Sequence, residues 1–204
     1  PASIIKELIE NSLDAQAAEI KIEFVNAGKK RILVNDNGNG IDRSDLELAL
    51  QRHATSKLRT AEDLKHITTL GFRGEALPSI AAVTKFTISS RIKGSDSGWQ
   101  VAAQDGKITA PRPVGCPPGT TVEATDLFYN TPARAKFLRS EQTEKEHIVT
   151  TVTDLALTYF RVAFVLKDSN NLIFSAPVNR DLAARVGNIF GTQVFEEIFY
   201  LGKM

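Results

Sequence analysis

The stretch Lys6-Glu7-Leu8-Ile9-Glu10-Asn11-Ser12-Leu13-Asp14-Ala15 combines an apolar and a polar face in one predicted helix, from about Ser3 to Ala15. The apolar residues recur at helical spacing and form one broad arc: Ile4, Ile5, Leu8, Ile9 and Leu13. Glu7, Asn11 and Asp14 follow at four and three residues and form a polar stripe beside it. A solvated helix edge explains this stripe when it is taken alone. The alternative is a carboxylate base beside an amide oxygen that can bind Mg²⁺.

Two strands, near residues 18–25 and 30–35, follow this helix, and Asn26-Ala27-Gly28 predicts a hairpin turn between them. The second strand ends at Asp36-Asn37-Gly38-Asn39-Gly40, which is typical of a tight turn. A calcium-binding loop is excluded because Gly38 stands where a third-position oxygen ligand is needed. The functional alternative is a ligand contact. Asp36 can accept a hydrogen bond from an exocyclic amine, and the glycines let a flat base approach the backbone.

The rest of the chain alternates between predicted helices and strands. Asp42 is expected to cap a helix that has Asp45 in its first turn and runs to about Arg52. Residues 53–73 are expected to form a long mobile loop with a short helix near residues 62–66, and a helix should follow from Gly74 to about Val83. Thr143 and Glu146 form an expected capping box for a helix to about Tyr159. Another helix is predicted near residues 181–190, and strands near 84–92, 98–104, 120–126, 161–167, 171–176 and 196–201.

The order of these elements predicts an α+β sandwich with mostly antiparallel strands. Prolines at 111, 113, 117 and 118 predict a loop before the strand at 120–126. A second domain is expected to begin near residue 179, which divides the chain into residues 1–178 and 179–204. The chain opens at Pro1 without an initiator methionine, so we expect it to be an internal fragment.

Composition excludes several classes of protein. Of the 204 residues, 42% are hydrophobic and 24% charged, and the net charge is +1, so no strong global field selects nucleic acid or a membrane. Cys116 is the only cysteine, which excludes an intrachain disulfide and fits a reducing cytoplasm or nucleus. The three histidines, at 53, 66 and 147, show no metal-ligand spacing. We expect neither a signal peptide nor a membrane span.

Four further stretches are weak signals when each is taken alone. Gly71-Phe72-Arg73-Gly74-Glu75-Ala76 opens a helix, whose first N–H groups favour anions, although the stretch is not a Walker loop. His53-Ala54-Thr55-Ser56-Lys57 adds hydroxyls and an ammonium group upstream. Gly119-Thr120-Thr121 begins a strand, and the stretch from Phe128 to Arg134 enters a helix at Pro132.

The order of these motifs along the chain closely resembles the MutL family of mismatch-repair ATPases, within the wider GHKL superfamily. The resemblance spans nearly the whole chain, and the stretches 71–77 and 126–134 are those most similar to MutL. It implies a GHKL-type sandwich, in which helices cover one face of a mixed, mostly antiparallel sheet, and a start of a transducer-like domain after residue 178.

The resemblance also implies roles for individual residues. Glu7 would be the general base that activates water, Asn11 would bind Mg²⁺, and Asp36 would bind the adenine amine of ATP. Gly38 and Gly40 would shape the adenine pocket, and Thr121 would support it. Residues 53–74 would form the ATP lid. Further nucleotide contacts are expected at Ala15, Ile41, Thr55, Ser56, Lys57, Phe72, Arg73, Gly74, Glu75, Ala76 and Leu77.

The function implied is an ATP-driven switch for DNA mismatch repair, in which ATP and Mg²⁺ close the lid and pair two subunits. Expected partners are a second copy or a MutL paralogue, a MutS-type mismatch recognition protein, and DNA held weakly by the full-length protein. The alternatives are another GHKL protein, such as a topoisomerase ATPase domain, and an inactive DNA-binding scaffold. Arg134, Lys136 and Arg139 are candidate phosphate contacts, but a solvated helix face explains them equally well. A segment before Pro1 and a lysine of the following domain are expected to be needed for full hydrolysis.

Overall fold

The computed structural model describes residues 1–51 and 75–191. The predicted lid at 53–74, including its short helix, and the predicted strand near 196–201 lie outside the described residues. The helix predicted to follow the lid is present and begins at residue 76.

One mixed sheet forms the centre of the structure. In the described ranges it contains nine strands: β1 (Glu19–Val25), β2 (Arg31–Asp36), β3 (Lys85–Arg91), β4 (Gly98–Gln104), β5 (Lys107–Ile108), β6 (Arg112–Val114), β7 (Gly119–Thr125), β8 (Ala163–Asp168) and β9 (Asn171–Ala176). Their order is β5-β4-β3-β7-β2-β1-β8-β9, and β6 pairs with β4. Among the pairings described, β1 with β8 is parallel and the others are antiparallel. The predicted mixed, mostly antiparallel sheet is therefore confirmed.

Six helices accompany the sheet in the part of the chain that the structure describes: α1 (Ala2–Asp14), α2 (Arg43–Leu48), α3 (Ala76–Ala81), α4 (Pro132–Ala135), α5 (Glu141–Thr158) and α6 (Leu182–Phe190). Helices α1 and α5 pack against each other, α1 packs on β1 and β2, and α5 packs on β8. Burial alternates along the strands, as in β1, where Ile20, Ile22 and Phe24 are buried. This period of two places one side of the sheet in the core beneath the helices.

The core fixes α1 firmly on the sheet. Ile5 and Ile9 of α1 are fully buried and Leu8 is 2% exposed, and all three belong to the same hydrophobic cluster as Ile20 and Ile22. Burial of such a side chain stabilises a fold by roughly 1.5–3 kcal/mol. The apolar arc predicted for the first helix is thus the face that packs in the core.

The hairpin between β1 and β2 sets the position of Asp36. Asn26, Ala27 and Gly28 have φ of 52°, 49° and 76°, a left-handed turn that confirms the prediction for these residues. The resulting register pairs Ile20 with Asp36, while β7 on the other side pairs Thr120 with Asp36. Asp36 therefore ends its strand between two neighbours, on the face that the helices cover.

Several predicted boundaries were wrong. The helix capped by Asp42 ends at Leu48 rather than near Arg52, although the Asp42 carboxylate does accept from the N–H of Ser44. The stretch predicted as a proline-marked loop contains β6. Pro113 is tolerated there because β6 lies outside β4 at the edge of the sheet, where a missing N–H breaks no internal ladder.

The helix predicted to begin at Thr143 begins at Glu141 instead. Ser140 is its N-cap and accepts a hydrogen bond from the Thr143 N–H at 3.2 Å. The carboxylate of Glu144, rather than that of Glu146, reaches back to the N–H of Arg139 at 2.9 Å. Two donors at the helix start are therefore satisfied by side chains that precede those of the expected box.

Helix α6 is attached to the sheet by a buried cation. Arg185 is fully buried and donates to the carbonyl oxygens of Ala176, Phe160 and Val162 at 3.2, 2.7 and 2.6 Å. These bonds connect α6 to the end of β9 and to the segment between α5 and β8. The division of the chain at residue 179 stays a prediction. None of the helices described is long and apolar enough to cross a membrane.

We expect Ser140→Ala to lower the free energy of unfolding by about 1 kcal/mol, since the Thr143 N–H loses its acceptor. Thr143→Ala is the matched control, because it removes the hydroxyl that lies 2.8 Å from Ser140 Oγ but keeps the backbone N–H that Ser140 caps. Urea denaturation of both variants measures the difference. A larger loss for Thr143→Ala than for Ser140→Ala would contradict the assignment of the cap.

Candidate functional site

The Asp36 carboxylate is the centre of the candidate site, and only 6% of the residue is exposed. Its Oδ1 accepts from the N–H of Gly38 at 2.8 Å and from the N–H of Thr120 at 3.3 Å. Its Oδ2 accepts from the Ser12 hydroxyl at 3.0 Å. The donors come from α1, from the segment after β2 and from β7, so three parts of the chain converge on one carboxylate.

Burial raises the pKa of the Asp36 carboxyl above its usual range. The hydrogen bonds from Gly38, Ser12 and Thr120 oppose part of that rise, and so does the charge of Lys93. Desolvation disfavours the charged form, whereas donors directed at the oxygens favour it. The result is an acceptor that is shielded from water and held in one orientation.

The glycines around Asp36 allow the backbone segments to approach closely. A Cβ on Gly38 would lie 2.7 Å from the carbonyl oxygen of Ala15. The same oxygen accepts a hydrogen bond from the Asn39 N–H at 2.8 Å. Gly40 has a φ of 77°, and a Cβ there would overlap the carbonyl of Arg91. We expected these glycines to make room for a flat base. The structure shows that contacts within the protein already require them.

A buried hydroxyl joins the same region to the adjacent strands. Ser90, at the end of β3, is fully buried, and its Oγ accepts from the Ile41 N–H at 2.8 Å. The same oxygen lies 2.9 Å from the Gly119 carbonyl oxygen, to which it donates, and 3.0 Å from Thr120 Oγ1. The segment 38–41 is thereby attached to both β3 and β7.

The outer face of α1 carries the predicted polar stripe. Glu7 is exposed and Asn11 is half-buried. The pKa of Glu10 lies above its usual range, mainly because of burial and also because of the nearby Glu7 and Asp14 carboxylates. Its ion pair with Lys6 at 3.8 Å offsets part of that rise. Asn11 of this stripe directly precedes Ser12, which contacts Asp36. The polar stripe therefore begins next to the point where α1 meets Asp36.

The predicted site residues other than Glu7, Asn11 and Thr121 fall into three groups. Ala15, Asp36, Gly38, Gly40 and Ile41 lie together, joined by the contacts above. Glu75, Ala76 and Leu77 begin α3, where Glu75 is the N-cap and Leu77 packs against the core. Outside the described residues lie Thr55, Ser56, Lys57, Phe72, Arg73 and Gly74.

Thr121 does not lie beside Asp36. Its hydroxyl accepts from Asn35 Nδ2 at 2.7 Å on the opposite face of the sheet. Successive strand residues point to opposite faces, so the adjacent Thr120 faces Asp36 instead.

Sequence reasoning missed Ser12, Ser90 and Thr120, although a signal was present. Each of the three is a polar residue at a position whose helical or strand phase belongs to the core. Ser12 lies four residues after Leu8, Ser90 two after Ile88, and Thr120 two before Val122. Buried polar groups are nearly always hydrogen-bonded, so such positions indicate a polar network within the core.

Comparison with known proteins identifies the family. Residues 1–114 match the family described as histidine kinase-, DNA gyrase B- and HSP90-like ATPases. The DNA mismatch repair protein MutL of Neisseria meningitidis is 47% identical over 199 residues, 96% of this chain and 30% of that protein. MutL of Symbiobacterium thermophilum is 48% identical over 198 residues, 97% of this chain and 31% of its own length. The chain thus spans about a third of the curated relatives that it matches.

Solved structures agree with this result. The Aquifex aeolicus MutL ATPase domain complexed with ADP is 35% identical with a TM-score of 0.73, covering 93% of this chain and 68% of that one. The N-terminal domain of a DNA repair protein is 29% identical with a TM-score of 0.78, covering 93% and 56%. The chain therefore belongs to the histidine kinase-, DNA gyrase B- and HSP90-like ATPase family, and within it to the MutL-type ATPase domains.

Proposed function

We propose that this chain binds ATP with Mg²⁺ and hydrolyses it to ADP and phosphate, as the ATPase module of a DNA mismatch-repair protein. The similarity to an ADP-bound MutL domain and to MutL proteins over nearly the whole chain supports this function. The same similarity favours it over the topoisomerase and inactive-scaffold alternatives.

The observation that carries the proposal is the acceptor capacity left on Asp36. An ionised carboxylate offers about four acceptor positions, and three are occupied by Gly38, Thr120 and Ser12. One position remains for a donor that the described residues do not supply. The exocyclic amine of adenine is such a donor. An oxo group at the same place, as in guanine, would face a buried negative oxygen and be repelled.

Helix α1 supplies the residues proposed for hydrolysis. Asn11 is next to Ser12, which contacts Asp36. Glu7 precedes Asn11 by four residues, about 6 Å along the helix axis. Adenine at Asp36 and phosphates along the outer face of α1 fit this arrangement. Glu7 would take a proton from the water that attacks the γ-phosphorus, while the bond to the ADP oxygen breaks.

The donor set fits a magnesium ion that is shared with phosphates. No group of three or more histidine, cysteine or acidic residues that could hold a metal occurs among residues 1–51 and 75–191. Mg²⁺ needs few protein ligands when phosphates and water supply the rest. Asn11 would then provide one neutral oxygen, and the ion would neutralise charge on the phosphate oxygens.

The remaining parts of the proposal concern the whole protein. The resemblance assigns phosphate contacts to Lys57 and to the backbone from Phe72 to Leu77, and lid closure and dimerisation to the ATP-bound state. A second copy or a paralogue, a MutS-type protein and DNA are the partners it implies. Such a protein would work in the cytoplasm of a bacterium or the nucleus of a eukaryote, where the DNA is.

We expect Asp36→Asn to weaken ATP binding by about 1.5–3 kcal/mol, because a charge-assisted acceptor is lost. The fold should be retained. The oxygen of the introduced amide can still accept from Gly38 and Thr120, and its nitrogen can donate to Ser12, whose hydroxyl then turns to the Leu8 carbonyl oxygen 3.0 Å away. Isothermal titration calorimetry with ATP measures the loss. Unchanged affinity would refute the role of Asp36.

The stability of the same variant should depend on pH in a defined direction. The pKa of Asp36 is raised in the folded chain, so the ionised form destabilises the folded state and the protonated form does not. Without nucleotide, Asp36→Asn should be at least as stable as the wild type near pH 7. That advantage should disappear as the pH falls through the raised pKa and then the unfolded value near 3.8. Thermal unfolding at a series of pH values tests this, and a variant that is less stable at pH 7 would contradict it.

We expect Glu7→Ala and Asn11→Ala to separate turnover from binding in the full-length protein. A general base acts in the transition state, and its loss typically lowers the rate by about 10²–10⁴-fold. Glu7→Ala should therefore bind ATP normally or more tightly, since a carboxylate near the triphosphate is removed, and accumulate as a closed dimer. Asn11→Ala should instead lose the Mg²⁺-dependent part of ATP binding.

Turnover, ATP affinity with and without Mg²⁺, and sedimentation are measured on the same preparations. Glu10→Ala is the control, because this carboxylate lies on the same helix and is paired with Lys6. Near-normal turnover in Glu7→Ala, together with a large loss in Glu10→Ala, would transfer the role of base to Glu10.

A further inference from the structure

The Ser90 hydroxyl is a junction between three segments of the chain. It accepts a hydrogen bond from the Ile41 N–H at 2.8 Å and donates one to the Gly119 carbonyl oxygen at 2.9 Å. It also lies 3.0 Å from Thr120 Oγ1. The residue is fully buried, so these contacts are made out of reach of bulk water. Ser90 was not among the predicted site residues.

The hydrogen-bonding capacity of this hydroxyl is fully used. Ser90 has one hydrogen, which goes to the Gly119 oxygen, so the Thr120 hydroxyl must donate its own hydrogen to Ser90. Ser90 Oγ then accepts two bonds and donates one. A side chain without this hydroxyl would remove the hydrogen-bond partner that Ser90 offers to the Ile41 N–H and the Gly119 carbonyl. In the protein interior, a donor or acceptor left without a hydrogen bond destabilises the fold.

The partners of Ser90 belong to the surroundings of Asp36. The Thr120 N–H donates to Asp36 Oδ1, and Ile41 ends the segment that starts with the Gly38 N–H bond to the same oxygen. Gly40 also packs on the backbone of Arg91, the residue after Ser90. Ser90 therefore controls how far the 38–41 segment stands from β7 on either side of the carboxylate.

We propose that Ser90 is a positioning residue of the nucleotide site, which sets the affinity for the base without touching the nucleotide. This inference rests on the function proposed above. Its effect is confined to the base end, because the hydrogen bonds of this hydroxyl go to Ile41, Gly119 and Thr120, which lie around Asp36 and outside α1 and α3. Loss of the hydroxyl should weaken recognition of adenine and leave the contribution of the phosphates unchanged.

The protein contains a reporter for this region. Trp99, its only tryptophan, is the cross-strand partner of Ser90, and the Arg43 guanidinium lies 4.3 Å from the centre of its ring. Arg43 follows Ile41 by two residues, so a shift of the 38–41 segment moves the cation over the ring. Tryptophan emission therefore reports a change in the surroundings of Ser90 even without nucleotide.

The test compares Ser90→Ala with Ser89→Ala in the 204-residue chain. Ser89 is the adjacent serine of β3, and its hydroxyl accepts from Gln100 Nε2 at 2.8 Å on the other face of the sheet. Calorimetry with ATP and with inorganic tripolyphosphate separates the base from the phosphates. For Ser90→Ala we expect ATP affinity to fall about tenfold, tripolyphosphate affinity to stay unchanged, and Trp99 emission to change. Ser89→Ala should alter none of the three.

Ser90→Cys provides a second variant if Ser90→Ala does not fold, since a thiol has a similar shape and weaker hydrogen bonds. It should lower ATP affinity in the same selective way but by less. An equal loss for ATP and tripolyphosphate would show a general structural role and overturn the proposal, as would unchanged ATP affinity in a folded variant. Failure of the wild-type chain to bind ATP would instead overturn the function on which the inference rests.

Discussion

A carboxylate buried at the end of a central strand constrains the rest of this structure. Removing a charge from water costs several kcal/mol unless donors replace the lost solvation. Within residues 1–51 and 75–191, the groups that hydrogen-bond to the Asp36 carboxylate are two backbone N–H groups and one hydroxyl, none of them a cation. Those donors belong to different parts of the chain, so α1, the segment after β2 and the start of β7 must meet within hydrogen-bonding distance.

This convergence explains residues that otherwise look unrelated. Gly119 has a φ of 112°, and a Cβ there would overlap the carbonyl of Asp36, so β7 can lie close enough to donate only because this residue is glycine. Gly38 allows the same approach toward Ala15. Ser90 then connects Gly119 to Ile41 from the opposite side. The glycines and hydroxyls are therefore parts of one arrangement around one acceptor.

The sequence predicted the parts of the fold that depend on local pattern. Apolar periodicity located α1 and most of the strands, and the motif order indicated the family. Features that depend on a distant partner were missed. The edge strand β6 exists only because β4 offers free backbone groups, and Thr120 rather than Thr121 faces Asp36 because the register with β2 decides it. The Ser140 cap is a local feature by contrast, and it was missed because the Thr143–Glu146 pattern was followed in its place.

Helix α1 is one rigid element that contacts the proposed adenine site at Asp36 and carries the residues proposed for hydrolysis, Glu7 and Asn11. Its inner face is fixed by Ile5 and Ile9, which are fully buried, so the helix cannot shift without opening the core. Ser12, on that inner face, bonds Asp36, while Asn11 and Glu7 project from the outer face. In the proposed site, the distance from the bound base to the attacking water would then be set by helix geometry. In the proposed function, the groups for affinity and for rate lie on the same helix and would face different parts of the nucleotide. A substitution can therefore damage one and spare the other, provided that the buried face remains intact.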